Sequence, residues 1–254
     1  MKKTMMKRQT SGQALIITSL VIAMLLLSTT YYVFEIKRSA SREEATTDFT
    51  LNMIKQATIN TMISALANFT NGGERSSLAI DLSRLSSNIE DHFYKGQCLI
   101  QFTPLNASPY RDGTWISWED NGSGISSADA SSTVNFSDST ATYHSEFETI
   151  LTTRLLLESA YLTNGTEKNV NVTCTLYNEN EPALANDIVI TYQNETDGPW
   201  ITVDSSNNPD TVDYGNGTYL LSFNVDMQSF LRVSANVHDM RDILVIANTT
   251  SMEV

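Results

Sequence analysis

The residues able to do chemistry in this 254-residue chain are few and scattered. Its three histidines, His92, His144 and His238, stand far apart, and none has a second His or Cys at a zinc-ligand spacing. His144 precedes Glu146 and Glu148, and His238 precedes Asp239; these patterns suit a solvated strand end and a turn. A nucleophile elbow would need G-x-S-x-G. A phosphate loop would need G-x-x-x-x-G-K-[ST], or G-x-G-x-x-G after a strand. The chain has none of these. Asp120-Asn-Gly-Ser-Gly124 opens like a calcium loop but lacks the later acidic ligands in register. Trp115, Trp118 and Trp200 suit packing better than a carbohydrate platform. No catalytic residue, metal site or cofactor is expected, and the chain does not read as an enzyme.

Two modifications remain. Cys98 and Cys174 are the only cysteines, and there is no C-x-x-C. In an exported protein they could form one disulfide, worth about 2–5 kcal/mol; the alternative is two separate buried thiols. N-x-S/T acceptors for N-glycans start at Asn68, Asn106, Asn121, Asn135, Asn164, Asn171, Asn194, Asn216 and Asn248. A chain this rich in Asn, Ser and Thr yields about four such triplets by chance, so the excess supports export. Asn171 alternates with apolar neighbours and so should point outward, and Asn216 and Asn248 lie beside expected strands.

Charge divides the chain. Residues 1–44 hold seven Lys/Arg and three Glu, a net of +4; the whole chain is −13, so residues 45–254 carry −17. An acidic body of that kind argues against nucleic acid as a partner, because phosphate binding needs a basic face.

The elements that must carry these residues follow from periodicity. Residues 14–33 form an uncharged run about 30 Å long as a helix, the thickness of a bilayer core, and Tyr31, Tyr32 and Phe34 sit at its far end. Hydroxyls at Thr18, Ser19, Ser28, Thr29 and Thr30 can return to the helix backbone. The expectation is a transmembrane helix over 13–36 that contacts the lipid bilayer through 14–33. The basic leader 1–12 would stay in the cytoplasm and the C-terminal domain would be extracellular. Residues 37–93 read as a helical stalk. Phe49, Met53 and Ala57, then Ile59, Met62, Leu66 and Phe69, keep a three-four spacing that Asn71-Gly72-Gly73 ends; a second helix is expected over Leu78–Phe93. From Cys98 the period becomes two. Residues 94–163 read as a β-rich middle region with a polar loop at 120–142. Residues 164–254 read as an antiparallel immunoglobulin-like β-sandwich, with alternation at Val170–Leu176, Ile188–Tyr192, Tyr219–Val225 and Leu231–Val237. The fold class expected is α+β: an N-terminal transmembrane and stalk helix followed by a β-rich ectodomain.

Two resemblances add to this reading. Asp213-Tyr-Gly-Asn-Gly-Thr-Tyr219 resembles the D-x-G-x-G-x-Y turn of filamin-type and prokaryotic immunoglobulin-like repeats, over roughly the last 90 residues. In those repeats the glycines allow a positive-φ turn and the tyrosine packs at the sheet corner. The first 60 or so residues, with basic Lys2–Arg8, then Gly12, an uncharged helix and an amphipathic extension, resemble a type IV pilin-like protein of the looser archaeal kind. That resemblance implies cleavage between Gly12 and Gln13 and bundling of the apolar helices with self or other surface subunits. It departs from the bacterial pattern, because Ile17 stands where those pilins carry Glu. Three functions compete: a structural surface protein such as a filament subunit, a membrane-tethered adhesion or ligand-binding module, and an exported enzyme.

Overall fold

The structure, a computed structural model, describes residues 3–93, 96–137, 142–194, 198–227 and 231–254; the side chains of 3–18, 20, 21, 36, 38–48 and 194 fall outside that description. The chain divides into two units, residues 1–55 and residues 56–254. Helix α1 (Lys3–Thr70) supplies all of the helix in the first unit and the opening of the second. It stops where Gly72 takes a φ of 94°, a conformation open to glycine, and where the Gly73 N–H closes on the Asn68 carbonyl at 2.9 Å. Ser28 and Thr29 return their hydroxyls to the Leu25 carbonyl, each at 3.0 Å, and Thr30 returns its own to Leu26.

After α2 (Ser77–His92) the chain is strand. The strands are β1 (Gln97–Pro104), β2 (Thr114–Trp118), β3 (Ser123–Ser137), β4 (Thr142–Asn164), β5 (Glu167–Asn178), β6 (Glu181–Pro182), β7 (Ala185–Asn194), β8 (Trp200–Thr202), β9 (Asp210–Asp213), β10 (Thr218–Asp226), β11 (Leu231–Asp239), β12 (Leu244–Thr250) and β13 (Met252–Glu253). They make two sheets. The larger runs β1-β3-β4-β5-β10-β9, with β2 on β3, β6 on β5 and β13 on β4; the smaller runs β12-β11-β7-β8. Every pair is antiparallel except β13 with β4.

The inner face of the larger sheet carries two cores. At one end, Ala128 and Ala130 of β3 and Leu151 of β4 pack with Met62, Ala65 and Leu66 of α1, with Leu78 and Leu82 of α2, and with Ile243. At the other, Leu155 and Leu157 of β4, Val170 to Leu176 of β5 and Phe223 of β10 face Ile190, Val233, Ala235 and Val245 of the smaller sheet. Alternation with a period of two places these side chains on one face.

Three expectations need correction. Strand residues outnumber helical ones, so the fold is mainly β, built on two antiparallel sheets, and not an α+β chain led by a transmembrane helix. Among the described residues no helix is long and apolar enough to cross a membrane. The expected span at 14–33 falls partly outside them, since the side chains of 14–18, 20 and 21 are not described. Second, the polar stretch 120–142 is not a loop: Ser123–Ser137 is a 15-residue strand paired along its length with β4. Its inward residues include Gly124, Ser126, Ala128, Ala130 and Ser132. Gly124 and Ser126 are small because β12 lies directly against them. A Cβ at Gly124 would collide with the Ile246 carbonyl, and the Ser126 hydroxyl donates to the Leu244 carbonyl at 2.7 Å. Third, β4 runs through 163 and 164 and pairs with both β3 and β5, so the middle region and the sandwich share one sheet.

Between the two cores lies a buried polar knot. Asp239, fully buried, accepts the backbone N–H groups of Arg241 (2.8 Å) and Ile243 (3.0 Å), the Thr153 hydroxyl (3.1 Å) and the Arg241 Nε–H (2.8 Å). Arg241 also donates to both Glu179 oxygens, at 2.9 and 3.1 Å. The β11–β12 turn is thereby tied to β4 and to the turn after β5. Removing one member of a buried pair strands the other, at a cost of about 3–5 kcal/mol. Asp239→Ala should lower unfolding stability by about that amount in urea titrations, whereas Arg84→Ala, which breaks an exposed i,i+3 pair with Asp81, should cost under about 1 kcal/mol.

Candidate functional site

The histidines do not converge. His92 Nδ1 meets the Asn88 carbonyl (2.8 Å) within α2, His144 meets Asn135 (2.8 Å) and Glu146 on the exposed side of the larger sheet, and His238 meets Asn71 (2.9 Å). Among the described residues no group of three His, Cys, Asp or Glu is placed to hold a metal. Trp118 packs against the sandwich core and donates its indole N–H to Ser126 at 3.2 Å; Trp115 meets Tyr110 edge-on at 6.0 Å; Trp200 is 42% exposed.

The expected disulfide between Cys98 and Cys174 is not formed: both thiols are free and buried. Cys98 lies on β1 and Cys174 on β5, with β3 and β4 between them. Cys98 lies level with Tyr143 of β4 and Cys174 level with Leu157, so besides about 14 Å across three strand spacings the backbones are offset by about 45 Å along the strands, far beyond the roughly 7 Å a disulfide can bridge. Burial pushes the Cys174 thiol up to about 12; burial, then the nearby Glu90 carboxylate, pushes Cys98 up to about 11. Neither is a nucleophile at neutral pH. Both should react with a thiol reagent only after denaturation, and reductant should leave the melting temperature unchanged.

The glycan acceptors fall into groups. Asn121, Asn164 and Asn216 each precede a glycine with positive φ (Gly122, Gly165 and Gly217); Asn121 and Asn216 lie in turns and Asn164 ends β4 where the turn to β5 begins. Asn121 and Asn216 accept the backbone N–H two residues on, at 3.0 and 3.1 Å. Turn formation accounts for their Asn-Gly pairs. Asn68 lies in α1 with its amide on the Ser77 hydroxyl (3.1 Å), and Asn135 and Asn248 are half-buried in strands. Asn106 and Asn171 are exposed, the latter on the outer face of β5 as its alternation required. The side chain of Asn194 and those at the expected cleavage site, Gly12 and Gln13, lie outside the described residues.

Asp129 on β3 is 4% exposed, and burial, then the Glu148 carboxylate, raises its pKa. A carboxyl raised above its unfolded value favours folding when protonated. That contribution is complete below the unfolded value of about 3.9 and is lost as pH rises through the folded one. Asp129→Asn should therefore raise stability at pH 7, and the difference from the parent should shrink below about pH 4 in parallel melts.

Two surfaces stand out. The first is α1 between 22 and 34, where Ile22, Met24, Leu25, Leu26, Leu27, Tyr31, Tyr32, Val33 and Phe34 are each more than half exposed. The second is one edge of the sandwich. At the opposite edge, residues 119–122 cover β12: the Gly122 N–H donates to the Asn248 carbonyl (2.7 Å) and the Asn248 N–H to Glu119 (3.3 Å). Among the described residues there is no such cover between β8 and β9. Ile201 shares the inward side with its partner Tyr192, whose ring lies 6.0 Å from Phe223 across the core. It is nonetheless 38% exposed, and Ile188, Val203 and Leu221 are only half-buried. A cavity of about 260 Å³ opens there. Sequence reading missed this edge, although Pro199 and Pro209 bracket β8 and prolines mark sheet edges.

No family model matches the chain, and no curated protein matches it. The fold defines a two-sheet β-sandwich with helices covering one end of its larger sheet.

Proposed function

We propose that this is a structural protein of the cell exterior that assembles through α1, as a pilin-like filament subunit does. One observation carries the reading: the exposed apolar residues of α1 point all round the helix. Met24, Leu25, Leu26 and Leu27 are consecutive, and successive residues project about 100° apart. A helix that is apolar on every side must be enclosed. One neighbour covers only one side, whereas a bundle of the same helix from several copies covers all of them. The hydroxyls of Ser28, Thr29 and Thr30 are already spent on the helix backbone, so they do not oppose dry packing. The exposed acceptors Asn106 and Asn171 on the β-rich body suit export.

Intact-mass measurement and sedimentation of the native protein test this. The expected result is an N-terminus at Gln13 and large assemblies that fall to monomers in Leu25→Glu/Leu26→Glu, with the melt of the β-rich body unchanged. An intact leader with monomers in the membrane fraction would overturn it.

A further inference from the structure

We infer that the open edge of the sandwich takes up an extended peptide segment of a partner polypeptide, apolar in alternation and flanked by Lys or Arg, which adds to β9 as a new strand. The inference is independent of assembly through α1.

The backbone is poised for this. The Tyr214 N–H donates to the Thr218 carbonyl, so that pair is hydrogen-bonded, and in an antiparallel ladder such pairs alternate with open ones. Val212 and Asp210 therefore spend their backbone groups on β10, while those of Thr211 and Asp213 face away from the sheet. An edge of this kind is a template for another strand unless it is covered. At the other edge the protein's own turn, 119–122, covers β12, whereas among the described residues no strand lies beyond β9.

The core behind the edge selects the side chain. A strand added to β9 would carry one inward side chain over the cavity, where Ile188, Ile190, Leu221 and Phe223 offer apolar walls. The volume suits one aliphatic side chain and the backbone beside it. Charge selects the flanks. No Lys or Arg occurs between Lys168 and Arg232; Asp204 follows the lining residue Val203, and Asp210 and Asp213 are the two ends of β9 on either side of the lining residue Thr211. A cationic strand meets opposite charge there, and an acidic one is repelled.

The probe is a fluorescein-labelled ten-residue peptide that alternates Val with Lys and Thr, titrated by anisotropy into the full chain kept dispersed in mild detergent. Binding is expected, weakening at least tenfold when Glu replaces Lys in the peptide or when salt rises to 1 M. Thr211→Pro removes one outward N–H and spares the bonds to β10, so it should weaken binding at least tenfold at an unchanged melting temperature. Asp210→Lys should weaken it less. Equal binding of the acidic peptide, full binding by Thr211→Pro, or no binding at millimolar protein would each overturn the proposal.

Discussion

Both hydrophobic cores rest on the inner face of one strand. Along β4, Leu151 belongs to the core under the helices, and Leu155 and Leu157 belong to the core between the sheets. Thr153 stands between them and is fully buried. Its hydroxyl donates to Asp239 and accepts from Arg241 at 3.0 Å. This places the polar knot where the cover changes from helix to sheet. An isolated charge could not survive there, because its desolvation would exceed what one hydrogen bond returns. Four donors on Asp239 and the second carboxylate on Arg241 make the junction tolerable. The β11–β12 turn is held by the same contacts, so the smaller sheet is positioned by the residue that separates the cores.

The long strands follow from this division. A sheet that must support two covers end to end needs strands longer than the usual five or six residues, and β4 has 23. Its partner β3 can lie close to β12 only because its inward side chains are small. The approach closes one edge of the sandwich, and residues 119–122 seal it. The other edge ends in β8 and β9, which are three and four residues long. Short edge strands limit unwanted pairing, yet they leave Ile201 and Leu221 poorly covered. The difference between the two edges is what leaves one side of the sandwich open.

Of the ionisable groups buried in the β-rich body, Asp239 is spent on the knot, and Cys98 and Cys174 are held as buried free thiols. What remains open is backbone at an edge and apolar surface on a helix. Both are suited to polypeptide partners.

Much of this was legible in the sequence wherever one face of an element is strongly apolar. The helix end at Asn71-Gly72-Gly73, strands β5, β7, β10 and β11, and the turn at Asp213–Tyr219 all follow from period and turn chemistry. In that turn Gly215 and Gly217 have φ of 71° and 81°, and the buried Tyr219 accepts the Ala185 N–H at 2.8 Å. Strand β3 was not legible, because small inward residues give hydrophobic patterning no contrast. The separation of Cys98 from Cys174 was not legible either, since strand order in a sheet is not written in spacing. The sequence by itself determined the helix end at Asn71-Gly72-Gly73, the strands that carry a strongly apolar face, and that no cation lies between Lys168 and Arg232. Only the tertiary structure decided which strands are neighbours, where Asp239 finds its partners and which sandwich edge stays open, because those depend on contacts between residues far apart in the chain.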